Sequence, residues 1–103
     1  MKSYIVIGLG RFGSEVARQL YQCGCEVLAM DVKSELVQQI SSEVTHAAVG
    51  DCQDKEVLKM LGAGDFDCAV VAIGDNLAAS VLVTMNLKEL GVPYLVCKSC
   101  KFK

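Results

Sequence analysis

The hydrophobic positions of this chain fall into short continuous runs separated by segments with helical spacing. Apolar or β-branched runs of this kind, bounded by polar turns, predict buried strands. The predicted strands are Tyr4–Ile7, Glu26–Asp31, Thr45–Val49, Cys68–Ile73 and Tyr94–Cys97. In the segments between them, apolar residues recur every three or four positions, which predicts helices with one buried face.

The predicted helices carry recognisable boundary signals. The first is expected over Arg11–Gln22, with Gly24 ending it. Ser34 and Asp54 are expected to cap the second and third helices, since a side-chain oxygen at this position accepts a first-turn amide. Asn76 starts the longest helix. In that helix we expect Leu77, Val81, Met85 and Leu90 among the buried positions.

Strands and helices therefore alternate along the whole chain, with short connections. Crossover helices return each strand in the same direction, so the sheet is predicted to be parallel and covered on both faces. Right-handed crossovers give the strand order 3-2-1-4-5, which is the doubly wound α/β fold of the Rossmann type. The most apolar run, Cys68–Ile73, is placed near the centre of the sheet. The 103 residues are expected to form one domain, 1–103.

Composition narrows the setting of this domain. No apolar run reaches the ~20 residues that cross a bilayer. The first apolar run is interrupted by Gly8 after only a few residues, which is typical of a strand and not of a signal peptide. We therefore expect a cytoplasmic protein. The net charge of −2 gives no general attraction to nucleic acid, so any anion has to be held by local geometry.

The glycine turn after the first strand is the clearest candidate site. Gly8, Gly10 and Gly13 form a GxGxxG pattern between a predicted strand and a predicted helix. In that context the glycines allow a tight turn, a close approach of phosphate to the backbone, and close packing of helix on strand. The helix N-terminus then offers amide groups and a partial positive charge to an anion. The alternative is a glycine turn that binds nothing.

Two charged residues extend this candidate nucleotide site. Asp31 ends the second strand, 18 residues after Gly13, where a carboxylate accepts hydrogen bonds from an adenosine ribose and repels the 2′-phosphate of NADP. It could instead only open the following turn, with Lys33 neutralising it. Arg11 lies inside the glycine turn and is suited to clamp phosphate oxygens, unless it is simply a solvated arginine.

Three further segments are expected at the same crevice, because they follow the carboxyl ends of strands. Asp51 and Cys52 are assigned to its adenine side, and Ile73 and Gly74 to its sugar–phosphate side. Lys98 leaves the fifth strand at the same edge. The alternative for each loop is that it only caps the following helix, with Asp75 or Asn76 as the cap after Gly74. The alternative for Lys98 is an exposed lysine.

The six cysteines are expected to be reduced and mostly structural. Cys23 and Cys25 precede a strand, whereas Cys97 and Cys100 close a parallel one, so a strand length of roughly 15–20 Å separates the two pairs. They cannot share one metal ion. A redox sensor using Cys97 and Cys100 is a third, weaker hypothesis for the function of the chain.

The crevice lacks the residues of an enzyme. His46, the single histidine, is predicted at the start of a strand away from the crevice. No serine–histidine or lysine–tyrosine pair is predicted there, and no chain remains after the fifth strand to build a substrate pocket. A dehydrogenase needs such a region. We therefore expect a non-enzymatic nucleotide-binding protein, the alternative being a fragment of an NAD-dependent dehydrogenase.

These segments together resemble one known family. The run Ile5–Gly13 with Asp31, Gly50–Cys52 and Ile73–Asn76 is similar to the RCK/KTN (TrkA-N) family, the regulatory domains of bacterial potassium uptake systems and channels. The resemblance covers essentially the whole chain. The family pattern continues into a sixth strand and a crossover helix, so this chain is expected to be truncated before them.

The resemblance implies both a ligand and partners. Such domains bind NAD(H), or ATP or ADP in several members, and they assemble as dimers or larger homo-oligomers beneath a membrane potassium channel or transporter subunit. Carried over to this sequence, the residues implied are Gly8, Gly10 and Arg11 at the phosphates, Asp31, Val32 and Lys33 at the ribose, Asp51 and Cys52 at the adenine, Ile73, Gly74 and Asp75 at the floor, and Lys98 closing the site. Leu9, Phe12 and Gly13 complete the glycine turn over which the phosphates are expected to lie, and are counted with the binding residues.

Overall fold

A single sheet of five parallel strands forms the centre of the computed structural model, which describes residues 2–74 and 76–97. The strands are β1 Ser3–Ile7, β2 Glu26–Asp31, β3 His46–Val49, β4 Cys68–Val71 and β5 Tyr94–Cys97. Their order across the sheet is β3-β2-β1-β4-β5. The predicted fold and strand order are therefore confirmed, with β1 at the centre and β4 beside it.

Helices cover both faces of this sheet. They are α1 Arg11–Gln22, α2 Ser34–Ile40, α3 Lys55–Met60 and α4 Leu77–Leu90, with short 3₁₀ turns at Ser41–Glu43 and Ala63–Asp65. Successive strand residues point to opposite faces, so β1 contributes side chains to two hydrophobic cores, one on each face of the sheet. Ile5 and Ile7 pack with Leu58 of α3 and with residues of α4, whereas Val6 packs with Ala17 of α1 and with residues of α2. Burial on both faces explains why the strands read as continuous apolar runs.

Side-chain caps account for the start of two helices. Asp54 accepts a hydrogen bond from the Glu56 amide, and Asn76 from the Ala79 amide, at 3.0 Å in both cases. These two caps confirm the expectation for α3 and α4. Asp75, the other residue considered for α4, lies outside the described residues.

The predicted cap of α2 is wrong. Ser34 is the first residue of the helix, and Lys33 occupies the N-cap position without a side-chain cap. The reason is local: Asp31 accepts a hydrogen bond from the Lys33 amide, 2.9 Å long. That bond completes the turn after β2 at Lys33. The Lys33 carbonyl oxygen then accepts the amides of Leu36 and Val37, so that α2 begins one residue earlier than a Ser34 cap would allow.

The predicted buried face of α4 is also largely wrong. Leu77, Val81 and Met85 are 50%, 50% and 54% exposed, and Leu90 is only partly buried against the core. The residues that α4 buries are Ala79, Ser80, Val83, Asn86 and Leu87. Apolar residues occur on both sides of this helix, so the spacing alone fits two faces. The structure buries the side with smaller residues, and two polar side chains lie within it.

Two strand ends also differ from prediction. β3 begins at His46 rather than Thr45, because the Thr45 hydroxyl accepts the Val27 amide, at 3.0 Å, where a strand would offer a backbone carbonyl. β4 ends at Val71 rather than Ile73. The Ala72 amide still donates to the Ile7 carbonyl oxygen of β1 at 2.7 Å, and the chain then forms a wall of the cavity described below.

The start of α1 lies directly against the end of β1. A Cβ atom added to Gly13 would overlap the carbonyl oxygen of Gly8 and press on the Ala72 side chain. A Cβ atom added to Gly8 would overlap the carbonyl oxygen of Ala72, and Gly8 also has a φ of 97°, which side chains disfavour. Helix and strand can approach this closely only because both positions are glycine.

The first prediction follows from this contact. Gly13→Ala should lower the free energy of unfolding by about 1–3 kcal/mol or more, because the added methyl group forces α1 away from β1. Chemical denaturation followed by circular dichroism measures the change. Gly10→Ala is the matched control: Gly10 has a φ of −70° and an added Cβ meets nothing within 4 Å, so its stability should change by less than about 1 kcal/mol. Equal losses in both variants would contradict the packing argument.

Candidate functional site

A cavity of about 440 Å³ opens at the carboxyl ends of the strands, on both sides of β1. This is the point where the strand order reverses direction, and doubly wound sheets bind their ligands in the crevice there. The residues that border the cavity are Gly8, Leu9, Gly10, Arg11, Phe12, Asp31, Val32, Lys33, Leu36, Asp51, Cys52, Gln53, Ala72, Ile73 and Gly74.

Gly10 leaves an open space at the start of α1. It is the N-cap residue of that helix, and it has no side chain with which to bond the first-turn amides. An added Cβ would meet no atom within 4 Å, although Gly8 and Gly13 on either side are tightly packed. The N-terminus of a helix carries a partial positive charge. The backbone here therefore has room to receive an anion, as a phosphate requires.

Asp31 joins the glycine turn to the turn after β2. One carboxylate oxygen accepts the Leu9 amide at 2.7 Å, and the other accepts the Lys33 amide at 2.9 Å. The carboxylate is thus held at the cavity wall by two backbone amides. Each of its oxygens has a further lone pair, so the group can also accept bonds from the hydroxyls of a bound sugar.

The Asp51–Gln53 loop forms the wall next to β3. Its internal bond runs from the Gln53 amide to the Asp51 carboxylate, at 2.9 Å. A second bond reaches it from α4, where the Asn86 side-chain amide donates to the Gln53 carbonyl oxygen at 3.1 Å. Between these residues lies the Cys52 thiol, half-buried. Burial, with the Asp51 carboxylate adding repulsion, raises its pKa to about 11, so the thiol is neutral at physiological pH.

The charges along the cavity balance one another among the described residues. Arg11 and Lys33 supply two positive side chains, and Asp31 and Asp51 supply two negative ones. An anion at this site would therefore gain little from net charge. Local geometry has to favour it, chiefly the backbone amides at the start of α1.

Most of the residues predicted for the site do border the cavity. The exceptions are Gly13, which packs against Gly8 and does not line the cavity, and Asp75 and Lys98, which lie outside the described residues. His46 is exposed at the start of β3 and is not a lining residue. The cavity thus brings together all the other predicted residues.

Three lining residues were missed by the sequence analysis. Leu36 belongs to α2 and packs against the core as well as bordering the cavity, and Ala72 was predicted as part of the strand Cys68–Ile73. Gln53 directly follows Asp51 and Cys52, which were predicted for the site, and this position was the only indication that it lines the cavity. The spacing of apolar residues does not indicate whether such a residue lines the cavity or only packs within its own helix, strand or loop.

Neither a metal cluster nor a membrane helix is found in the described part of the chain. Residues 2–74 and 76–97 contain no group of three or more histidine, cysteine or acidic side chains placed to hold a metal ion. Within the same residues, no helix has both the length and the apolar character needed to cross a bilayer. The described cysteines, Cys23, Cys25, Cys52, Cys68 and Cys97, are free thiols. Cys100 lies outside the described residues.

Solved structures share the fold of this chain. The NAD(P)-binding domain of an exopolyphosphatase-related protein from Archaeoglobus fulgidus superposes with a TM-score of 0.83 and 22% identity, over 98% of this chain and 75% of that one. The Kef C-terminal domain of Shewanella denitrificans, in an AMP-bound form, superposes with a TM-score of 0.68 and 25% identity, over 93% of this chain and 57% of that one.

Sequence comparison gives the family. Ktr system potassium uptake protein C of Bacillus subtilis is 46% identical over 98 residues, which is 95% of this chain and 44% of that protein. The chain thus spans less than half the length of this relative. The sequence pattern that defines the TrkA-N domain matches residues 4–100. This chain belongs to the TrkA-N domain family.

Proposed function

We propose that this chain is the nucleotide-binding regulatory domain of a potassium uptake system. One observation carries the proposal: the cavity at the strand-order reversal has an open backbone at Gly10 and a fixed carboxylate at Asp31. These are the two features that hold the phosphates and the ribose of an adenosine nucleotide. The relative named for potassium uptake supports the physiological setting.

The lining residues divide among the parts of such a ligand. Phosphates would lie over the glycine turn, with Gly10 and the first amides of α1 beneath them and Arg11 beside them. The ribose would bond to Asp31, next to Val32 and Lys33. Adenine would lie toward Asp51 and Cys52. Ile73 and Gly74 would form the floor, and Asp75 and Lys98 are assigned to the same site by the family resemblance.

The proposed ligand is NAD(H), with ATP or ADP as the close alternative. Asp31 suits the adenosine ribose of either and opposes a 2′-phosphate, so NADP is disfavoured. The AMP-bound Kef domain, which shares 25% identity with this chain, supports an adenosine ligand. What the ligand supplies when bound is a change in the shape of the cavity rather than a reaction.

Regulation would act through the preference of each ligand for one shape of the assembly. Only a difference in affinity between two states can do work on a membrane partner, and such couplings amount to about 1–3 kcal/mol. The partners proposed are a second copy of the chain, in a dimer or larger ring, and a potassium channel or transporter subunit at the inner face of the membrane. A dehydrogenase fragment is the disfavoured alternative, because the relatives are components of potassium uptake systems.

Calorimetric titration with NADH, NAD, ATP and ADP tests the proposal directly. Gly10→Ala should weaken binding of the preferred nucleotide about tenfold or more, a cost of at least ~1.4 kcal/mol, because its methyl group occupies space that the phosphates need. The fold should be unaffected, so the thermal midpoint without ligand serves as the control. Unchanged affinity in a folded Gly10→Ala variant would show that phosphates do not lie against this residue.

The same substitution tests the physiological setting. A chromosomal Gly10→Ala allele should weaken the response of potassium uptake to nucleotide, in line with its about tenfold lower affinity, while the transported ion remains potassium. Uptake is measured by flame photometry after potassium depletion. A strain with wild-type uptake kinetics, carrying a variant that has lost nucleotide binding, would contradict regulation through this site.

A separate prediction concerns Asp31 without any ligand. Asp31→Ala should lower the free energy of unfolding of the ligand-free protein by about 1–3 kcal/mol, because the Leu9 and Lys33 amides lose their acceptor. It should also weaken nucleotide binding through the lost ribose contact. Denaturation curves measure the first effect, with the exposed Asp65→Ala as the control. Full stability with lost binding would mean that Asp31 serves the ligand alone.

A further inference from the structure

Asn86 is a polar residue in the buried face of α4. It is only 8% exposed, and its neighbours along that face include the fully buried Val83 and Leu87. A leucine, which branches at the same carbon as asparagine, would occupy such a position without the cost of burying an amide. The amide is instead used: its nitrogen donates to the Gln53 carbonyl oxygen, 33 residues away in the chain.

This bond differs from the other bonds of the loop it reaches. The Gln53 amide bonds to the Asp51 carboxylate and the Asp54 amide to the Asp51 carbonyl, at 2.9 and 3.1 Å. Both bonds join residues two or three apart, so they fold the loop on itself. The start of the loop is fixed separately, because the Gly50 amide donates to the Asp31 carbonyl oxygen of β2 at 3.0 Å. The Asn86 bond ties the loop to α4, an element of the core.

We infer that Asn86 is a positioning residue that holds the Asp51–Gln53 wall of the cavity in place through the Gln53 carbonyl oxygen. The inference rests on the proposed function for its effect on ligand affinity. Gln53 is itself exposed, so without the Asn86 donor its carbonyl can bond to water. The wall then moves outward from the adenine side of the cavity and uncovers Cys52.

Two substitutions remove the donor. Asn86→Leu keeps the branched outline of the side chain without its polar atoms, and Asn86→Asp keeps that outline but offers only acceptors when it is ionised. Either should raise the dissociation constant of ADP about two- to tenfold, the range expected for one net hydrogen bond. Val83→Ala is the matched control, because Val83 is buried on the same helix one turn away. It should lower the thermal midpoint and leave ADP affinity within twofold of wild type, or about 0.4 kcal/mol.

A readout that needs no ligand comes from the cysteines. Iodoacetamide modification followed by peptide mapping gives the rate at Cys52 relative to the exposed Cys23 of the same molecule. In the wild type Cys52 should react far more slowly, since it is half-buried and its pKa is raised to about 11. Asn86→Leu should raise the Cys52 to Cys23 ratio about two- to tenfold, and Val83→Ala should leave it unchanged.

The outcomes separate the two proposals. A wild-type protein that binds no ADP, NADH, NAD or ATP overturns the proposed function, while a raised Cys52 ratio in Asn86→Leu still supports the positioning role. A wild type that binds, with Asn86→Leu matching Val83→Ala in both affinity and Cys52 ratio, overturns the inference. A fall in the thermal midpoint of Asn86→Leu without either change also overturns it, because the residue would then be only structural.

Discussion

The contact between Gly13 and the Gly8 carbonyl oxygen is the constraint on which the site depends. It sets how near the first turn of α1 lies to the end of β1, and no side chain fits between them. This approach places Gly10 and the first amides of the helix over the central strand of the sheet. The adjoining strands, β2 and β4, then end on either side of the same point, and the cavity is the space left between their loops.

Asp31 makes this arrangement independent of a ligand. Its two carboxylate oxygens bond to amides on two different loops, so the glycine turn and the turn after β2 are held together in the free protein. A site that is already ordered loses less entropy on binding than one that must fold around its ligand. Asp31, the residue assigned to the ribose, therefore also holds the two loops together. Both roles depend on the capacity of its carboxylate oxygens to accept hydrogen bonds.

How far the sequence predicts this protein depends on how local each signal is. Strand runs, the glycine turn, the caps at Asp54 and Asn76, and the sheet order follow from patterns within a few residues or from the handedness of crossovers. Ser34 was misassigned because the Asp31 carboxylate, three residues earlier, closes the turn first. That competition between neighbouring side chains is not visible in the helix signal itself.

The α4 face was mispredicted for a different reason, which bears on the site. The spacing of apolar residues on both sides of this helix does not determine which side is buried. In the structure the sheet packs against Ala79, Ser80, Val83, Asn86 and Leu87. Asn86 cannot be recognised as special in the sequence, because its partner is a backbone carbonyl in a distant loop. The same helix leaves Leu77, Val81 and Met85 exposed on its other side. The inner face of α4 thus bonds to the wall of the cavity, while its outer face is apolar and exposed. A displacement of α4 would therefore be transmitted to that wall through the hydrogen bond from Asn86 to the Gln53 carbonyl oxygen.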